Sequence, residues 1–344
     1  MEVEKTLYSA KEARTNHKKR WILWIIGIIC ILAIAGGTTA GVLLSKNNGD
    51  NGKATKSGNT AAGGGGIDID AEEDVKLNGD LDKNSKEIKE LMDNPDLHKV
   101  FHGIDYTPLN AVYPECIKWV PSQNNITRDI AVMSLLTDKI RLYGNDCNQT
   151  EMVFHAIDRL GVDMKVWVGV WLDGNTTTND RQLHQLWDIV DLTEHHDKID
   201  GIAVGNEVLF SKYLTETELT TVIEEVRANL TERSYDIPVG TSDLGSNWNA
   251  DMASKVDVLM ANVHPFFAGV TAEKAADWTY KFFEENDVAY TLDLAKPPRV
   301  MISEVGWPSG GGKEKGSVAG IDEFNTFMED FVCAENKRGT EYFW

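Results

Sequence analysis

The 344 residues, 42% of them hydrophobic, suffice for one large domain or two small ones. Acids outnumber bases 54 to 34, a formal charge of −20, which excludes a general nucleic-acid binder. That acidity bears on solubility and makes no demand on an uncharged polymer as substrate.

Residues 1–20 form a short tail that ends in Lys18-Lys19-Arg20, and residues 21–44 hold no charged side chain. This run exceeds the roughly 20 residues that span a bilayer as a helix. The positive-inside rule puts 1–20 in the cytosol and the rest outside, as a single-pass type II protein of the cell membrane. A cleaved signal peptide is the competing reading, with Ala33-Ile34-Ala35 as the cut site. A tail of twenty residues is long for the charged start of a signal peptide, and with the unbroken apolar run it favours a retained anchor. Residues 45–93 read as a flexible linker, because the stretch ending in Gly63–Gly66 cannot bury a core and 67–81 is acidic and weakly patterned. Within it, Ser85–Met92 makes a turn or two of helix stopped by Asn94-Pro95.

From residue 94 to 344, strand-like and helix-like segments alternate. The strands are predicted at Val100–Pro108, Ile140–Tyr143, Met164–Leu172, Ile199–Asn206, Ile237–Thr241, Val256–Val263, Val300–Ser303 and Glu341–Trp344. Between them, Val153, Ala156, Ile157 and Leu160 form one helical stripe, and Leu219, Val222, Ile223 and Val226 another. The alternation predicts an α/β fold with a parallel sheet, and eight strands predict a (β/α)8 TIM barrel. An open doubly wound sheet would want a glycine-rich phosphate loop after the first strand, where Tyr106-Thr107-Pro108 stands instead. The last strand ends on Trp344 with no helix after it. The barrel is therefore expected to be truncated within strand eight, with an open final seam.

Two acids stand where apolar runs end: Glu207 after the fourth strand and Glu304 after the seventh. Strand ends converge at one mouth of such a barrel, and two opposed carboxyls are the minimum apparatus for cleaving a glycosidic bond. Arg141, near the end of strand two, is the candidate cation beside an ionised acid, or else a structural ion pair. His264 either donates to that acid or satisfies a strand-end carbonyl. Aromatic rings match the apolar faces of sugars, which makes Tyr106, Tyr143, Trp171, Trp248, Phe266, Phe267 and Trp307 candidates. Tyr106 and Trp307 lead, because Gly and Pro neighbours put them in mouth loops.

Around these acids the chain resembles glycoside hydrolase family 17, its fungal cell-wall members in particular. The resemblance rests on Gly103-Ile-Asp-Tyr-Thr-Pro108, Arg141-Leu-Tyr-Gly-Asn-Asp-Cys147, Val204-Gly-Asn-Glu-Val208, Asn262-Val-His-Pro-Phe-Phe267 and Ser303-Glu-Val-Gly-Trp-Pro-Ser-Gly-Gly311. It implies a glucan endo-1,3-β-D-glucosidase or a glucanosyltransferase acting on 1,3-β-glucan through a covalent glucosyl-enzyme. It implies Glu207 as acid/base, Glu304 as nucleophile and Asn206 as a ligand of the sugar 2-hydroxyl. Hydrolysis and transfer share the covalent step, so the motifs do not separate them. A non-catalytic glucan-binding surface protein is a further reading, disfavoured because both acids are present.

Cys116 and Cys147 flank early barrel elements and are typical of the resembled proteins, so an oxidising compartment is expected to pair them. Cys333 is left over. Asn125, Asn148, Asn175 and Asn229 head Asn-x-Thr sequons and are glycosylation acceptors if the domain is external. No cofactor is called for. A metal-dependent hydrolase would need His or Asp clusters at strand ends, and no such spacing is seen.

Overall fold

The computed structural model of the chain describes residues 71–192 and 194–344. The tail, the apolar run 21–44 and the glycine-rich stretch lie outside these described residues. Among the described residues no helix is long and apolar enough to cross a membrane.

Seven parallel strands form one sheet in chain order: β1 (Ile104–Asp105), β2 (Lys139–Arg141), β3 (Lys165–Val170), β4 (Ile199–Asn206), β5 (Val239–Leu244), β6 (Val258–Asn262) and β7 (Arg299–Glu304). Most strands are shorter than predicted. β1 keeps two of the nine expected residues, and before it Val100 and Phe101 donate to the Leu136 carbonyl and not to a strand.

The seam expected to stay open is closed. Residues 341–344 lie parallel between β7 and β1, pairing Tyr342 with Ile302 and Phe343 with Gly103. Ile302 and Val305 donate backbone N–H groups to Glu341 and Phe343, and Phe343 donates back to Ile302. On the other side Trp344 donates to Gly103, and Asp105 donates to Trp344. Four residues suffice because these five backbone hydrogen bonds tie the segment to both neighbouring edges.

Inside the ring, Trp167, Ala203, Val258, Met260, Met301 and Phe343 form a small buried cluster. Its two large rings each face a glycine on the adjacent strand. A Cβ on Gly201 would stand 2.4 Å from the Trp167 ring, and one on Gly103 2.5 Å from Phe343. Space in the barrel is thus shared large against small, as in other filled barrels.

The helices, in chain order, are α1 (Ala71–Asn78), α2 (Lys86–Met92), α3 (Glu115–Lys118), α4 (Gln123–Met133), α5 (Gln149–Leu160), α6 (Thr176–Leu192), α7 (Val208–Ser211), α8 (Glu216–Glu232), α9 (Ala250–Ala253), α10 (Pro265–Ala268), α11 (Ala272–Asn286) and α12 (Ile321–Arg338). Their apolar stripes cover the outside of the ring and build the main core with the outward-facing strand residues. The predicted stripes of α5 and α8 are buried, with Val222 half-buried. Local signals set the helix ends. Thr215 and Glu218 make a reciprocal capping box at the start of α8, and Gly161 ends α5 in the left-handed region.

The linker reading fails for residues 71–93. Leu81 and Ile88 are buried in the core, and α1 and α2 are clamped onto α4 by one arginine. Arg128 donates to both oxygens of Asp74 at 2.6 and 3.1 Å and to both of Glu87 at 2.7 and 3.0 Å. Asn124 adds two hydrogen bonds to the connecting turn, accepting from Leu81 N–H and donating to the Gly79 carbonyl. The segment looks featureless alone because its acids find their partner on a helix about fifty residues on.

Candidate active site

The strand ends deliver five groups to one mouth. Glu207 follows β4 directly, and the turn that carries it is unusual: Gly205 has φ 84° and Glu207 itself φ 51°. A non-glycine residue in the left-handed region costs about 1 kcal/mol or more, and such strain gathers at functional sites. The turn is held from β5. Asp243 Oδ2 accepts the Leu209 N–H at 2.8 Å, and the Ser242 carbonyl accepts the Glu207 N–H at 2.8 Å.

Glu304 ends β7 opposite. Arg141, only 1% exposed, donates from Nη1 to Glu304 Oε1 at 3.2 Å, and His264 Nε2 lies 3.3 Å from Oε2. One oxygen of each glutamate and a ring nitrogen of His264 all lie within 4.8 Å of one another. Arg141 is fixed in turn by Asn206 Oδ1 at 2.7 Å and by the Tyr143 ring 4.5 Å away.

These surroundings split the two acids. Burial pushes the Glu207 carboxyl upward and the nearby charge of Glu304 pushes it further. Burial acts upward on Glu304 too, but the His264 hydrogen bond and the Arg141 charge outweigh it and hold the group at about 2. His264 is driven up, its burial outweighed by the Glu304 hydrogen bond and the surrounding acids. The surroundings thus favour the protonated form of Glu207 and the ionised form of Glu304, which is the division of labour a two-carboxylate reaction requires.

The triad Glu207, His264 and Glu304 also has the donor types of a metal site, a cluster hidden in sequence because its members come from three different strands. The Arg141 guanidinium already sets a positive charge against Glu304, which weighs against a cation there.

Asn262 is a site residue that sequence reasoning passed over. Its amide nitrogen donates to Glu207 Oε1 at 3.1 Å, while its oxygen accepts from Ser242 Oγ at 2.7 Å and Ser303 Oγ at 2.8 Å. Its presence in the quoted motif Asn262-Val-His-Pro was the one available signal.

Two expected sugar platforms are corrected. Trp307 is 5% exposed, with Nε1 donating to the Val318 carbonyl at 2.9 Å and its ring edge-on to Phe266 at 5.4 Å. Phe266 is itself buried. Both pack under a hairpin, β8 (Lys313–Glu314) and β9 (Ser317–Val318), that the glycine-rich sequence did not announce. Phe267 is the exposed ring instead, 54% exposed and 5.9 Å from His264. Tyr106 is half-buried and donates its hydroxyl to Asp129 at 2.8 Å, and Trp248 is buried.

Cys116 of α3 is bonded to Cys147 after β2, with Cα atoms 6.2 Å apart, and Cys333 is free and exposed. Of the sequon residues, Asn148 and Asn175 are exposed. Asn125 and Asn229 are half-buried on helices, Asn125 accepting from Arg128 of its own helix and Asn229 from Arg233, which caps the end of α8.

The family described as the BtgE/BtgC glycoside hydrolase domain matches residues 103–344, a stretch that holds all five mouth groups. The chain belongs to this family. It is 53% identical over 290 residues to "Probable glucan endo-1,3-beta-glucosidase btgC" of Aspergillus flavus, covering 80% of this chain and 42% of that protein. It is 50% identical over 293 residues to "Glucan endo-1,3-beta-glucosidase btgC" of Emericella nidulans, covering 80% of this chain and 45% of that one. The chain thus spans about half the length of the curated relatives it matches. Among solved structures, a glycoside hydrolase family 17 β-1,3-glucanosyltransferase of Rhizomucor miehei superposes with a TM-score of 0.62 at 27% identity, covering 71% of this chain and 85% of that one. The kinship expected from the motifs is borne out, and the fold agrees with a (β/α)8 barrel.

Proposed function

We propose that this chain cleaves 1,3-β-glucan with retention of configuration, through a glucosyl-enzyme on Glu304. The observation that carries the reading is the facing pair Glu207 and Glu304, with oxygens within 4.8 Å. Carboxyls about 5–5.5 Å apart suit a covalent route, whereas inverting enzymes need about 6.5–9.5 Å to admit a water. Glu304 attacks the anomeric carbon while Glu207 gives its proton to the departing oxygen, and Glu207 then takes a proton from the incoming hydroxyl. Arg141 and His264 keep the nucleophile ionised, and Asn206 reaches the sugar 2-hydroxyl. The names of the btgC relatives support the substrate and the hydrolytic outcome.

Transfer to a second glucan is the alternative outcome, favoured by the glucanosyltransferase of Rhizomucor miehei, which is also described bound to laminaritriose. A time course on laminarin-type oligosaccharides decides. Only shorter products mean hydrolysis, and early products longer than the substrate mean transfer. No product of either kind sinks both readings.

The apolar run 21–44 behind Lys18-Lys19-Arg20 supports a type II anchor that presents the barrel to the cell wall. Protease added to intact cells should then remove the barrel and spare the tail. A mature protein starting just after Ala35 would overturn the anchor.

A further inference from the structure

The steps above employ Glu207, Glu304, Arg141, His264 and Asn206 and leave one acid of the mouth without a task. Asp105 ends β1, its side chain 13% exposed. Its Oδ1 accepts from Arg141 Nη1 at 3.0 Å. The same nitrogen faces the Ser303 carbonyl at 3.0 Å and Glu304 Oε1 at 3.2 Å. Nη1 carries two hydrogens, so three acceptors compete for two. The guanidinium cannot turn to serve them separately, since Nη2 is tied to Asn206 and the face is covered by Tyr143.

The charges are as tightly matched as the hydrogen bonds. Asp105, Glu207 and Glu304 stand against Arg141 and His264, three potential anions and two cations.

We propose that Asp105 is a positioning residue for the nucleophile: it shares Nη1 of Arg141 with Glu304, and its own charge decides which of the two the guanidinium serves. The inference rests on the retaining reading given above. Burial pushes the Asp105 carboxyl up to about 8, with the Arg141 charge opposing and the Glu304 charge adding to it. Below that range Asp105 is neutral, its oxygen is a weak acceptor, and Glu304 keeps the donor. An ionised carboxylate forms roughly twice as strong a hydrogen bond to a guanidinium as a neutral group does. Once Asp105 ionises, it draws Nη1 from Glu304 and the nucleophile loses its alignment.

The test is the pH profile of kcat/KM for the full chain on a dinitrophenyl β-laminaribioside. This leaving group departs without a proton, so the titration of Glu207 does not register in the first step. The unaltered chain should lose about tenfold between about pH 7 and pH 9, or about 1.4 kcal/mol of barrier. Asp105→Asn, neutral at every pH and of the same shape, should show a distinctly shallower decline, keeping only the part that comes from His264 losing its proton beside Glu304. Asp105→Ala, which frees Arg141 on one side, should be lowered about tenfold near pH 7 and converge on the unaltered chain toward pH 9, while unfolding at the temperature of the unaltered chain. A decline as steep in Asp105→Asn as in the unaltered chain, or an Asp105→Ala profile equal to that of the unaltered chain, overturns the proposal. Trapping the glucosyl-enzyme by mass spectrometry separates the two levels. A trapped adduct on Glu304 with coincident profiles sinks this inference alone, and no adduct in the unaltered chain sinks the retaining reading with it.

Discussion

Asn262 and Glu207 are joined by a 3.1 Å hydrogen bond whose direction is settled on the far side of the amide, where two serine hydroxyls point at the oxygen. The amide nitrogen therefore has to face the acid. Neutral and oriented, it steadies the Glu207 carboxyl without stripping its proton. Asn262→Ala should lower kcat about a hundredfold with KM within about threefold, because the substrate still binds to a misdirected acid. Asn262→Asp adds a negative charge beside Glu207, so the alkaline limb of kcat/KM on glucan should move to higher pH. An unmoved limb would contradict the contact.

The two acids are separable by chemical rescue. Glu304→Gln should abolish turnover on glucan and on activated aryl glycosides alike, since no glucosyl-enzyme forms. Glu207→Ala should fail on glucan but form the intermediate from an aryl glycoside with a good leaving group. Azide, which needs no base, should then release a β-glycosyl azide. An α-azide from the Glu207 variant would mean that the roles are exchanged.

Asp287 makes stability depend on pH away from the mouth. It is 0% exposed, neither side-chain oxygen has a hydrogen-bond partner among the described residues, and burial pushes the group up to about 8. A raised folded-state value means that its contribution is complete below the ordinary carboxylate range and is lost as pH rises through about 8. Each unit of displacement is worth about 1.4 kcal/mol. Asp287→Asn should remove part of the fall in unfolding free energy between about pH 4 and pH 8, measured by urea titration against the unaltered chain. Parallel curves for the two proteins would show that Asp287 is not the group responsible.

The closing segment is the other point of leverage on stability. Phe343 fills the ring opposite Gly103 and is fully buried. Phe343→Ala should cost about 3–5 kcal/mol, the usual penalty for emptying a core aromatic site. Gly103→Ala should destabilise as well, because its methyl would fall on the Phe343 ring. If both variants unfold like the unaltered chain, residues 341–344 do not seal the barrel in solution.

Local order was legible in the chain. Alternating apolar runs and helical stripes report which residues are buried over a window of a few turns, and eight such runs led to the ring. Glu207 and Glu304 stood out for the same reason, since an acid at the end of a buried run conflicts with its surroundings. What the tertiary structure alone decided are relationships between residues far apart in sequence. The sharing of Arg141 by Asp105 and Glu304 joins three strands, and the Asn262 network joins β4, β5, β6 and β7. Burial of Trp307 depended on a hairpin folding back over it, and docking of residues 71–93 depended on Arg128 of α4. Periodicity tells a side chain which face to take. Only the closed ring, which sets the stagger between neighbouring strands, tells it which distant atom it will meet.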